Sequence, residues 1–289
     1  MLFRSDDFRM LEIGQATFIT PAPGIMISGI DNNMQALSFF QYDNINIFGF
    51  APTRNSGIND WSDFRGKTIA LGDAAWATIF DPILVAVGLT PEVDYQYVVA
   101  GEARAALVNT GQIDILATWI SEFYQYVGQG MDFIYIDGNA VLESCGNSFV
   151  TSLDTLRNRP EIAIGFARGL AKGMYFCMTN PEASADINMK AFPALADVGW
   201  DVAVALARGR ADMNFGLTPQ DKEMIRNQLG YHYEDKWRIN MDAAVAVGAV
   251  SAPIPLNRIF TNEYIDQINN WDRAQIEADA RNYQITMRP

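Results

Sequence analysis

Between Lys67 and Asp137 the chain alternates repeatedly between two hydrophobic periods, and that order constrains its fold more than any other feature. "KTIAL" (67–71) is a short apolar run of strand length. "WATIFDPILVAVG" (76–88) carries apolar residues at helical spacing, Ile79, Ile83, Leu84 and Val87, and stops at Gly88. Next come a strand (95–101), a helix closed by Gly111 (102–111), a strand (113–119), a short helix, and a strand within "MDFIYIDG". Neighbouring parallel strands need a crossover, and a helix of this length supplies one. The pattern predicts a βαβ array on a mainly parallel sheet.

The flanks read differently. "QATFITPAPG" (15–24) predicts a short strand ended by Pro21 and Pro23, which cannot donate to a ladder, and "GIMISGIDN" a short helix. "NINIFGFAPT" (44–53) predicts a strand. After a strand at 148–152, helices are expected from Pro160 and from Pro181. A helix over 218–230 has Thr218 as N-cap and Pro219 at its first position. "DAAVAVGAVSAP" and "FTNEYIDQINNWDR" read as helical.

Composition narrows the function classes. Of 289 residues, 49% are hydrophobic and 19% charged, which suits a well-cored globular chain. The net charge of −13 argues against nucleic acid and anionic membrane surfaces as partners, since both select basic surface. No apolar run approaches a membrane span. The opening "MLFRSDDFRMLEIG" does not read as a signal peptide, because acids follow Arg4 and no apolar stretch of adequate length comes after them.

Cys145 and Cys177 lack the paired spacing of a metal site and read as free thiols, with one disulfide left open. The single histidine, His232 in "QLGYHYEDKW", reads as part of a surface turn with a structural role. No catalytic residue, metal ligand or cofactor is expected.

"DFRGKTIAL", "GLTPEVDYQYV", "GEARAALVNTGQIDILATW", "FARGLAKGMYFCMTNPEASA" and "IFTNEYIDQINNW", in that order, give the chain its resemblance to a family. It resembles the type 2 periplasmic substrate-binding proteins of ABC importers. More narrowly, it is similar to the branch shared with thiamine-pyrimidine, nitrate, sulfonate, taurine and riboflavin binders. The resemblance implies an α/β, two-lobed fold with a ligand cleft between the lobes. Residues 54–142 would form the smaller lobe, and 1–53 with 143–289 the larger, joined by hinges near Phe50–Thr53 and Val141–Ser144. The family opens with a strand, a loop and a helix before the segment matching "LEIGQATFITPAPG", so the fold is expected here without that first strand and helix. The implied function is solute capture in an importer, with a permease as partner and a periplasmic or extracytoplasmic location. A pyrimidine-synthase-like enzyme and a small-molecule-sensing module share this fold and are the alternatives.

The ligand residues are expected at the strand ends. At 72–76, Gly72 makes a sharp turn, Asp73 caps the helix and Trp76 offers a flat apolar face. At the end of "IDILATW", the resemblance implies that Thr118, Trp119 and Glu122 supply an aromatic wall and a polar contact, against Trp119 as core and Glu122 on a solvated helix face. Thr20 and Pro21 offer the opposite wall, and Tyr175 reads as core of its helix or as a ligand contact reaching in from it. Lys67 starts its strand at the far end and Arg104 stands on the following helix. Two carboxylates and two indoles suit a neutral or cationic planar nitrogen heterocycle, thiamine-pyrimidine-like, rather than a small inorganic anion.

Overall fold

A computed structural model describes residues 6–196 and 198–288. The alternating stretch folds into a five-stranded sheet. Its strands are β2 (Phe48–Pro52), β3 (Lys67–Leu71), β4 (Tyr95–Val99), β5 (Ile115–Trp119) and β6 (Ile136–Asp137), in the order β4-β3-β5-β2-β6. β3 runs parallel to β4 and β5, whereas β2 runs antiparallel to β5 and β6. The sheet is therefore mixed where a mainly parallel one was expected. The helical crossovers enforce parallel pairing only among β3, β4 and β5.

Strand periodicity then places a core on each face. Phe48, Phe50, Ile69, Leu71, Ile115 and Ala117 point to one side and pack with Phe80, Ile83 and Leu84 of helix Ala77–Ala86. The alternate residues Ala51, Ala70 and Leu116 point to the other and pack with Ala105 and Val108 of helix Arg104–Asn109. Both β3 and β5 thus end in a layer between helices, which aims the segments after Leu71 and Trp119 at one edge.

The second sheet is small. β1 (Ala36–Gln41) and β7 (Ser148–Ser152) pair antiparallel, with a register shift between Ser38 and Phe40. That irregularity lets the adjacent Phe39 and Phe40 enter the same cluster, beside Ala163, Ala167 and Ala171 of helix Pro160–Thr179. Ile19 contributes a single antiparallel bridge to Val150 where a short strand was expected. Pro21 and Pro23 end the pairing, and Pro23 begins helix Pro23–Asp31. Helix Trp200–Phe215, for which the sequence reading had no element, joins the two bodies. It packs on helix Pro181–Ala191 and also on helix Ile120–Gly128 beside the larger sheet.

The chain crosses between the sheets through 42–47 and again through 138–147. The first crossing lies upstream of the expected 50–53, because Phe48–Pro52 belongs to the five-stranded sheet. The crossings touch each other: Gly146 Nα donates to Asp43 O at 2.9 Å. A Cβ on Gly146 would lie 2.8 Å from Ile45 O, so a side chain there is excluded by backbone.

His232 corrects the expectation of a surface turn. It is fully buried, stacked on Phe260 with ring centroids 4.8 Å apart. Its Nε2 lies 2.7 Å from Ser38 Oγ and its Nδ1 3.0 Å from Asn262 Oδ1. An amide oxygen only accepts, so Nδ1 carries the proton and Nε2 accepts from the serine. Burial pushes the imidazole pKa down to about 3. Cys145 and Cys177 are free thiols.

Candidate functional site

The edge where β3 and β5 end brings two tryptophans together. After Leu71 the backbone turns under an indole: a Cβ on Gly72 would sit 2.6 Å from Trp76 Cη2. Gly72 is thus required by the ring lying over it, rather than by the sharp turn expected from the sequence. Asp73 is exposed and caps the short helical turn that follows, accepting from Ala75 N at 2.7 Å, while Trp76 N bonds to Asp73 O. This cap occupies the amides of Ala75 and Trp76. Trp76 meets Trp119 edge to face, with centroids 5.8 Å apart. Both indoles pack against the same cluster as Ala22 and Met213, which come from the other body.

Behind the indoles lies a buried ion pair. Arg104 bonds to Glu122, with only 3% and 10% of the two side chains exposed. The guanidinium centre is 5.0 Å from the Trp76 ring centroid and 5.9 Å from that of Trp119. Glu122 also accepts from Thr118 Oγ1 at 2.6 Å and from Tyr126 at 3.1 Å. Burial raises the Glu122 pKa, opposed by the hydrogen bond from Thr118 and by the Arg104 charge. Both carboxylate oxygens are therefore bonded within the protein. Glu122 and Thr118 hold Arg104 and the indoles in place; Oε1 is filled by Arg104 and Tyr126, while Oε2, bonded to Thr118, keeps one acceptor position. Arg104, set aside there as a residue of the following helix, is part of the constellation. Its one legible signal is its spacing of four from Val108, which puts it on the apolar face of its helix.

A cleft of about 480 Å³ opens beside this wall. Trp119, Ser121, Glu122 and Gln125 line one side; Asn188 and Arg210, from helices Pro181–Ala191 and Trp200–Phe215, line the other. Thr20 is exposed and Pro21 is buried, just ahead of Ala22 in the shared cluster. Tyr175 stands elsewhere. Only 1% exposed, it donates to Glu277 at 2.6 Å and accepts from Arg226 at 2.7 Å, inside the cluster around β1. The structure thus joins Trp76, Thr118, Trp119 and Glu122, has Asp73 capping the turn that carries Trp76, and leaves Tyr175 out. Asn188, Arg210, Ser121 and Gln125 were missed, because the helix carrying Arg210 was not read and polar residues on a helix face carry no label for a cleft.

Among the described residues no helix is long and apolar enough to cross a membrane, and no group of His, Cys, Asp or Glu could hold a metal ion.

The chain is 24% identical over 221 residues to the riboflavin-binding protein RibY of Chloroflexus aurantiacus. That match takes in 75% of this chain and 61% of the relative's length. A solved structure from Bordetella bronchiseptica RB50 superposes with a TM-score of 0.70 at 17% identity, over 90% of this chain and 82% of the other. The periplasmic nitrate-binding protein NrtA from Synechocystis PCC 6803 superposes at 0.66 and 12% identity, over 97% and 87%. These neighbours carry the two-lobed fold of type 2 periplasmic binding proteins. The family model described as NMT1/THI5 like matches residues 4–184, and the chain belongs to that family.

Proposed function

We propose that this chain is a solute-binding component of an ABC import system and captures a small planar nitrogen-containing molecule between its lobes. The observation that carries the reading is the Trp76–Trp119 pair, held rigid by the buried Arg104–Glu122 pair at the rim of a cleft that both bodies line. Indoles offer a ring face at low entropic cost, and a stacked or cation–π contact contributes about 0.5–2 kcal/mol. Hydrogen bonds to ring nitrogens and amino groups fall to Ser121, Gln125 and Asn188, with the remaining acceptor position of Glu122 Oε2 beside them. The proposed lobes meet at the crossings 42–47 and 138–147 and close by rotation about them. The proposed partner is a permease, and the proposed location is periplasmic or extracytoplasmic.

The test is calorimetry with 4-amino-2-methylpyrimidine, against nitrate and an alkyl sulfonate. The aminopyrimidine should bind, and Trp119→Ala should weaken it about tenfold or more, the equivalent of about 1.4 kcal/mol. Tighter binding of the sulfonate or nitrate, indifferent to Trp119→Ala, would refute the reading.

A further inference from the structure

The tryptophan cleft continues past Asn188 and Arg210 into a further space of about 530 Å³ between helices Pro160–Thr179, Pro181–Ala191 and Trp200–Phe215. Cys177, Asn188 and Arg210, one residue from each helix, line both. Helix Trp200–Phe215 gives the order. Ala203 and Ala207 line the indole end, Arg210 stands at the join, and Asn214 lies one turn beyond it. That run covers about 16 Å of helix axis at the usual rise per residue. The two spaces are therefore one elongated cleft, and a planar ring against Trp119 would fill only the indole end.

The far end differs chemically from the indole end. Lys172 and Arg210 line it, and none of its lining residues is acidic, in a chain whose net charge is −13. Lys172 is half-buried and makes no hydrogen bond or ion pair with any described residue. Arg210 is held in place: Nη1 donates to Asp43 Oδ1 at 2.9 Å, and the guanidinium centre lies 5.1 Å from the Tyr42 ring centroid. Its side chain is still 30% exposed, and its Nη2 and Nε bond to no described residue. Asp43 is only 1% exposed, so its charge is spent on Arg210 behind the wall. Two cations against one buried carboxylate leave a single positive charge here, which one ligand carboxylate would balance through charge-assisted hydrogen bonds. Leu170, Phe176 and Ile187 complete the wall with apolar surface.

We infer that the captured molecule is an organic acid, a planar nitrogen heterocycle against Trp119 with an apolar arm whose carboxylate sits on Arg210 and Lys172. The inference rests on the proposed transport reading for the ring, and on the far end of the cleft for the acid. It gives Arg210 and Lys172, which the ring leaves unused, the role of selecting a charged ligand over a neutral one of the same shape.

Calorimetry on the full chain tests it with four probes: 4-amino-2-methylpyrimidine, its 5-propanoate, the matching 5-propanamide, and hexanoate, which has the acid without the ring. The propanoate should bind about tenfold more tightly than the propanamide, which has the same shape and no charge. Lys172→Gln should remove most of that advantage. Lys172 bonds to no described residue, so this variant should fold normally by circular dichroism. Equal affinity of propanoate and propanamide, or an advantage that persists in Lys172→Gln, would overturn the proposal while leaving the aminopyrimidine reading intact. If no ring probe binds but hexanoate binds the wild type and not Lys172→Gln, the heterocycle reading fails and the acid end stands. Absence of binding by all four at about 10 mM would overturn both.

Discussion

Arg104 and Glu122 show how much one pair can control. Removing one partner of a buried ion pair strands the other charge in a poorly solvated site, at a cost of about 3–5 kcal/mol. Arg104→Met should therefore destabilise the chain by that order in urea unfolding, and Trp76 and Trp119 should change their emission because the guanidinium lies over both rings. A loss under about 1 kcal/mol would mean that the pair is solvated. His232 makes a prediction in pH. Its folded pKa is held at about 3, below the 6.5 of an unfolded histidine. The unfolded chain then binds the proton first, so the contribution of the neutral ring is complete above about pH 6.5 and declines toward pH 3. Asp43 runs the other way. Burial raises its carboxyl to about 6 from 3.8, so its contribution is complete below about pH 3.8 and is lost as pH rises through 6. The two slopes oppose each other between pH 4 and 6. His232→Gln should remove one of them. The stability difference between wild type and this variant should shrink by about 2 kcal/mol from pH 6.5 to 4.5, measured by thermal unfolding; a constant difference would show that the ring titrates normally.

At the scale of elements, glycines separate into those a neighbour demands and those it does not. Gly72 lies beneath the Trp76 ring, so Gly72→Ala must displace the indole and should cost about 1–3 kcal/mol while disturbing the tryptophan pair. Gly165 and Gly169, on the exposed side of helix Pro160–Thr179, have open space in the Cβ direction. Gly169→Ala should stabilise by about 0.5–1 kcal/mol through helix propensity alone. Paired melting curves check both signs, and a stabilising Gly72→Ala would remove the packing argument for that position. Much of this scale was open to sequence reading. β3 and β5, the helix from Pro160 and the Thr218 cap stand near their expected places, because a period of two or 3.6 and a capping residue are local properties. Helix Trp200–Phe215 was missed for the same reason. Its buried face is a stripe of small residues, Ala203, Ala207 and Ala211, with too little apolar contrast to announce a buried side.

The whole molecule depends on two thin connections. Segments 42–47 and 138–147 carry the chain between sheets and press together at Gly146. Gly146→Ala would push a methyl group into Ile45 O and Asp43 Cβ, at 2.8 and 2.9 Å. It should shift the relative placement of the bodies as well as lower stability. Small-angle scattering with and without a bound probe should show a ligand-dependent decrease in radius of gyration for the wild type and a smaller one for this variant. Identical scattering in all four samples would argue against lobe closure about these segments.

The sequence by itself determined the alternation of strands and helices, since period and capping follow from a few neighbouring residues, and it offered the strand-end positions Asp73, Trp76, Thr118, Trp119 and Glu122 as candidates only with the help of the family resemblance. The tertiary structure alone decided their roles. Arg104 reaches Glu122 across eighteen residues of sequence and neutralises a carboxylate that looked free. Asp43 pairs with Arg210 across 167 residues, and His232 pairs with Ser38 across 194. Tyr175 is drawn into a different cluster altogether. Charge pairing and burial are set by distance in space, and only the packing of distant segments brings these groups close enough to change one another's chemistry.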